Sequence, residues 1–435
     1  MALKYGCAHF EDTNLPRIAT IARAGDYAGQ RVAGTEDMSS DTVWLTNLDS
    51  NVLWARNLNN NPRFRDSKYL RQDMNQVLKA IGMDDETDER RVRATADIFR
   101  RVMQISEKIL GIRHIPMRSL RWGIRERIAP PNQNLDNDLI KAINDATKFY
   151  TNCQNTTTQH VEERTLYMNP IDHAYDILSS PLPEGDWKRV RKMPQQDEIG
   201  VWIENTGPIL ARVTINHIEP NLASLLNYGA DISVSKDNRQ WLTAYELLYM
   251  ISMASEIKIH EAYVPQDNCS CFDQYPQVRD VIDNYKFDCN IFSLSWSLFL
   301  DNLWTAIGVK VVDKTRGIKT ETANPKNPFM RAYDRSRCLR KAMLLQEEGF
   351  DIIGYGTGKI SINMAGYSDL DVFRAARKYG MMPPPSTLKF EDLHLKDEDL
   401  DDPLTLMQSF YAQSRYEDIL SLDEQIVQDV ICSVE

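Results

Sequence analysis

The chain has 435 residues, 42% of them hydrophobic and 26% charged, and carries a net charge of −11 at neutral pH. That length can bury more than one core, and the composition is that of a globular protein rather than a disordered or fibrous one. The start, Met-Ala-Leu-Lys-Tyr-Gly-Cys, has no continuous apolar region, and no uncharged run reaches the roughly 20 apolar residues of a membrane helix, so neither a signal peptide nor a membrane span is expected.

Residues 1 to 66 read as polar and irregular, with Thr42-Val-Trp-Leu and Val52-Leu-Trp-Ala as candidate strands. Glu11-Asp12 is an isolated acidic pair and is given no catalytic role. Helical periodicity predicts helices from Lys68 to Met83, Glu86 to Leu110 and Met117 to Ile128, with Asp84 and Asp85 as caps.

The net acidity argues against general nucleic-acid binding, but the charge is segregated. Between Arg90 and Arg127 stand ten Arg and one Lys against three acids, a local net of +8, which leaves −19 for the rest. Arg113, Arg118, Arg121, Arg125 and Arg127 flank Trp122, a pattern that can combine phosphate contacts with base stacking. The alternative is a solvated helix face around a core tryptophan.

Pro130-Pro131 breaks the chain, and a helix from Asn137 to Tyr150 follows. Ile199 to Ile218 alternates like two strands, Gly200 to Glu204 and Ile209 to Ile215. Gln240-Trp-Leu-Thr-Ala-Tyr-Glu-Leu-Leu248 reads as a helix, Ile257 to Tyr263 as a strand, and Ile291 to Gly308 as a long apolar helix. Arg331 to Glu348 is a further helix stopped by Gly349. Asp351 to Tyr355 and Lys359 to Asn363 are then two strands around the turn Gly356-Thr357-Gly358. The segment Gly354-Tyr-Gly-Thr-Gly-Lys359 is one residue short of a phosphate-binding loop, and Ile360 stands where that loop has Ser or Thr. Asp369 to Tyr379 is a helix closed by Gly380. Met382-Pro-Pro-Pro-Ser386 is a stiff break and Glu391 to Asp402 an acidic linker. Leu404 to Tyr416 and Leu422 to Val434 close the chain as helices.

The seven cysteines, spread from Cys7 to Cys432, suit free thiols in a reducing compartment. Cys269-Ser-Cys271 with Cys289 and His260 lacks a second matching pair, so no metal site is expected there.

Several segments in order resemble the palm of protein-primed family B DNA polymerases. Ile171-Asp172-His173-Ala174-Tyr175 followed by Pro181-Leu-Pro-Glu-Gly185 is similar to the family's first palm motif, Asp-Ile-Asn-Ser-Ala-Tyr-Pro followed by Pro-Leu-Pro-x-Gly. Trp241-Leu-Thr-Ala-Tyr-Glu-Leu is similar to its Trp-Leu-Thr-x-x-Glu-Leu helix. Thr305-Ala-Ile-Gly308 is similar to the end of Lys-x-x-x-Asn-Ser-x-Tyr-Gly, and the helix into Gly356-Thr357-Gly358 to the run into Tyr-x-Asp-Thr-Asp-Ser. The resemblance spans about residues 165 to 365. It implies a mixed α/β (α+β) fold, a palm sheet backed by helices, over palm and fingers at 131–368; the helical periodicity and breaks outside it add an N-terminal region with basic helices at 1–130 and a helical, thumb-like region at 369–435.

The same resemblance places the metal-binding aspartates on Pro170, Gly356 and Gly358, and the triphosphate-binding lysine on Leu300. Two-metal nucleotidyl transfer needs carboxylates to clamp the attacking and leaving oxygens. The expectation is therefore a catalytically inactive polymerase-like protein of a phage, virus or mobile element, without metal or cofactor, in the host cytoplasm or the virion. It would bind nucleic acid through 90–127 or a protein: an active polymerase, a terminal protein or virion proteins. Two alternatives stay open. One is a mostly helical viral structural or nucleoprotein without polymerase ancestry; the other is an active polymerase using Asp172, Asp176 or Asp351.

Overall fold

Strand β1 (Lys4–Phe10) pairs antiparallel with β2 (Ile18–Arg23), β2 with β3 (Gln30–Ala33), and β4 (Thr42–Thr46) adds in parallel to the other edge of β1. In this computed structural model the described residues are 4–35, 38–39, 41–48, 52, 89–111, 135–146, 153–154, 162–218, 239–284, 291–307 and 323–382. They fall in two compact units, one within Met1–Arg127 and Tyr285–Leu303, the other within Ile128–Asn284 and Trp304–Pro383.

The four-stranded sheet of the first unit corrects the expectation of a helical and otherwise irregular N-terminal region, although Thr42-Val-Trp-Leu, expected as a strand, is β4. Its strands are short and hide their inward positions behind small residues: Cys7, Ala8, Ala19 and Ala22 are buried, and small side chains give a weak apolar signal. A Cβ on Gly6 would lie 2.6 Å from the ring of Trp44, so glycine is what lets that indole cross the strand. Asn47 accepts the Phe10 amide at 2.7 Å and donates to the Phe10 carbonyl at 2.9 Å, a stitch between distant segments. Helix α1 (Glu89–Leu110) packs on this sheet through Val92, Ala96, Phe99 and Met103, spaced at helical turns, with Tyr5 edge-on to Phe99. Asp97 accepts the Gly25 amide at 3.0 Å and is flanked by Arg93 and Arg100, which fixes the helix to the strand turn. Val52 is helical rather than extended, and the rest of that candidate strand lies outside the described residues.

In the second unit come α2 (Asn137–Ala146), β5 (Cys153–Gln154), β6 (Glu163–Met168), α3 (Pro170–Ser179) and β7 (Leu182–Val190). They are followed by α4 (Ile199–Thr206), β8 (Leu210–Ile218), β9 (Arg239–Thr243), α5 (Ala244–Met253) and β10 (Ala254–Cys269). Short helices α6 (Cys271–Gln274) and α7 (Pro276–Asn284) precede α8 (Ile291–Ile307), whose length spans the ranges of both units. The long helix α9 (Lys326–Glu347) leads into β11 (Asp351–Gly356) and β12 (Lys359–Asn363), then α10 (Asp369–Lys378) and β13 (Met381–Met382). One sheet is ordered β7-β10-β8-β9 and the other β13-β6-β12-β11-β5, all pairs antiparallel. A common core joins them, in which Val213 and Leu242 of the first sheet, Ile360 and Ile362 of the second, and Leu339 and Leu345 of α9 are all buried. The fold is mixed α+β, as the resemblance implied. No described helix is long and apolar enough to cross a membrane.

Three local readings change. Gly200 to Glu204 is helical: Ile199 and Ile203, one turn apart, are the buried pair, and Gly207 at φ 81° ends the helix. Gln240 to Thr243 is strand, and the expected helix starts only at Ala244, where Glu246 accepts the Thr243 amide. Helix α9 begins at Lys326, five residues before Arg331, because Pro328 sits in the first turn, where no amide donor is required. Met117–Ile128, Lys68–Met83, the acidic linker and both C-terminal helices lie outside the described residues.

Candidate functional site

Gly356 pairs with Lys359 across β11 and β12, which leaves Thr357 and Gly358 as a two-residue loop. Both have positive φ, 57° and 71°, the backbone of a type I′ hairpin turn. Glycine enters that region freely, whereas a β-branched threonine is held there against its preference. The force that holds it comes from α9. Asp334 places Oδ2 2.7 Å from the Thr357 amide and Oδ1 2.8 Å from the Gly358 amide, so one carboxylate accepts both turn N–H groups.

The carboxylate is fully enclosed, and its other partners are side chains. His173 of α3 brings Nε2 to 2.9 Å from Asp334 Oδ1, and its Nδ1 is buried with no hydrogen-bond partner among the described residues. A carboxylate oxygen accepts, so Nε2 carries the proton of this bond and donates it to Asp334. Cys338, one turn further along α9, donates its thiol to the same oxygen at 3.7 Å. Burial pushes the Asp334 carboxyl up, but the His173 bond, the charges of His173 and Arg331 and the Thr357 amide outweigh it and hold it below the ordinary carboxylate range. Burial, then the neighbouring Asp334, raises the Cys338 thiol well above its usual value. Trp304 closes the site edge-on to His173, ring centroids 5.7 Å apart, and Arg331 lies 5.4 Å over the indole.

Pro170 opens α3, Gly356 is buried at φ 126°, and Gly358 lies against His173, whose Cδ2 would be 3.4 Å from an added Cβ. The turn thus carries no carboxylate. Of the three acids that could replace one, Asp172 is exposed, Asp351 is exposed at the start of β11, and Asp176 is ion-paired with Arg337. Beside that pair Arg340 and Lys341 add positive charge; burial, then Arg337 and Arg340, depresses the Lys341 ammonium. Leu300 is fully buried in α8. The six basic-cluster residues, Arg113, Arg118, Arg121, Trp122, Arg125 and Arg127, lie outside the described residues.

Cys269 and Cys271 are free thiols, His260 bonds Thr214 at 2.8 Å, and Cys289 lies outside the described residues. The gathering of donors that sequence reading missed is His173, Asp334 and Cys338, whose donor atoms lie within 4.8 Å of one another. Its one sequence signal was Asp334 and Cys338 four apart, on the face of α9 that leads into the hairpin. Deeper along the same helix Arg335 pairs with Glu246 of α5 at 3.4 Å, both buried.

The sequence matches no protein-family model and no curated protein. Among solved structures the chain is similar to phi29 DNA polymerase complexed with primer-template DNA, at 11% identity over 85% of this chain and 81% of that one, with a TM-score of 0.47. It is also similar to the same polymerase with primer-template DNA and incoming nucleotides, at 11% identity over 85% and 82%, TM-score 0.40. The complex with single-stranded DNA aligns at 12% identity over 68% of this chain and 59% of that one, TM-score 0.37.

Proposed function

We propose that this chain is a non-catalytic polymerase-like protein of a virus or mobile element that binds nucleic acid as a subunit in replication or assembly. The observation that carries this reading is the carboxylate of Asp334. At the turn where the family would present two metal-binding aspartates, this chain has glycines, and the one buried carboxylate faces inward with both oxygens bonded to turn amides. A carboxylate that accepts two backbone amides and a histidine proton is an anchor of the hairpin, not an open pair of ligands for Mg²⁺. Positive charge from Arg337, Arg340 and Lys341 near Asp172 and Asp176 further disfavours a two-cation site in that neighbourhood. Pro170 and Leu300, in the places of the remaining aspartate and the lysine, supply neither charge nor ligand.

Nucleic-acid binding is assigned to the basic segment, with Arg113, Arg118, Arg121, Arg125 and Arg127 on phosphates and Trp122 stacking on a base. The test is fluorescence anisotropy of labelled single-stranded and primer-template DNA and RNA across a salt series. The reading expects affinity that falls steeply with salt and is lost when Arg113, Arg118, Arg121 and Arg125 become Glu. Absence of binding at low salt overturns the nucleic-acid role and leaves a protein partner.

A further inference from the structure

We propose that His173, Asp334 and Cys338 form a structural zinc site that fastens α9 and α3 beneath the hairpin turn. The three side chains bring one nitrogen, one oxygen and one sulfur donor to a common point, each atom within 4.8 Å of the others. That mixed set suits Zn²⁺, which takes imidazole, thiolate and carboxylate together, and it does not suit Mg²⁺ or Ca²⁺, which take oxygen. Separations of 2.9 Å between His173 Nε2 and Asp334 Oδ1 and 3.7 Å between Asp334 Oδ1 and Cys338 Sγ fit ligands around one ion at roughly 2.0 to 2.3 Å.

Three protein ligands leave the fourth position of a tetrahedral Zn²⁺ to a water. All three ligands are buried, and the Thr357 and Gly358 amides orient the Asp334 carboxylate from outside, as hydrogen-bond donors do around ligating carboxylates. Asp334 and Cys338 stand four apart on α9, so one helical face supplies two ligands and α3 supplies the third. On binding, Cys338 loses its thiol proton to solvent and the His173 proton moves from Nε2 to Nδ1. The thiolate and carboxylate then balance the two charges of the ion. The site is inward of the turn and independent of nucleic-acid binding; its role is to fix the hairpin.

The test is metal analysis of the full-length chain after exposure to Zn²⁺ and exhaustive dialysis, with Cys338→Ser, His173→Gln and, as a control, Cys271→Ser. The proposal expects about one zinc per chain in the wild type and in Cys271→Ser, and less than about a tenth of that in the two ligand variants. A Co²⁺-loaded wild type is measured alongside, so that the result stands even if the ligand variants do not fold. It should show a thiolate-to-cobalt absorption band, and Zn²⁺ should displace it. Wild type that retains no zinc and gives no such band overturns the proposal, as does a folded Cys338→Ser that retains as much zinc as wild type.

Discussion

Gly358 donates its amide to Asp334 at 2.8 Å, across 24 residues of sequence, and so ties the tip of the hairpin to the middle of the helix that leads into it. Asn at position 334 keeps the shape but turns one acceptor into a donor facing a backbone N–H. Removing one partner from a buried charged network leaves the rest unsatisfied, at a cost of about 3 kcal/mol. Asp334→Asn is expected to lose that much in urea unfolding.

The pH dependence follows from the same bond. The Asp334 carboxyl is held below its ordinary range in the folded chain, so its contribution is complete above about pH 4 and is lost as pH falls through the folded value. Wild-type stability should decline in acid below about pH 4. The decline should be shallower in Asp334→Asn, as read from urea midpoints at a series of pH values.

Thr357 sits at φ 57°, a region that costs an ordinary L-residue roughly 1 to 2 kcal/mol. Asparagine tolerates that conformation, and Asn-Gly is the preferred pair for this turn. Thr357→Asn is expected to raise stability by about 0.5 to 1 kcal/mol, seen as a higher Tm. A lower Tm would mean that the threonine side chain contributes more than its backbone costs.

Restoring a carboxylate to the turn should not restore a metal pair. Gly358 at φ 71° and Gly356 at φ 126° hold backbone conformations that glycine enters far more freely than an L side chain does. Gly356→Asp with Gly358→Asp is expected to destabilise the hairpin by roughly 2 to 4 kcal/mol and to gain no nucleotide incorporation. Thermal unfolding and primer extension of the same preparation check both halves.

The hairpin, α8 and the strand β10 were legible because their apolar periods and glycine stops agree with the packing around them. Of the N-terminal sheet only β4 was legible; β1 and β2 were not, since Ala8, Ala19 and Ala22 bury their faces without a strong apolar signal. Gly200 to Glu204 misled for the opposite reason: alternation over a short run imitates a strand, and burial of Ile199 and Ile203 settles the period. At the site, the glycines of the turn were visible in sequence, but their partner was not. Asp334 and His173 lie 161 residues apart, and only the docking of α3 on α9 brings them together.

The measurement that tests the central claim most directly is primer extension by the full-length chain on a primer-template, with Mg²⁺ and separately with Mn²⁺, under low salt. The account predicts no incorporated nucleotide above the protein-free control with either ion. Metal-dependent extension that disappears in Asp172→Asn or Asp176→Asn would contradict it, and would mean that relocated carboxylates hold the catalytic ions.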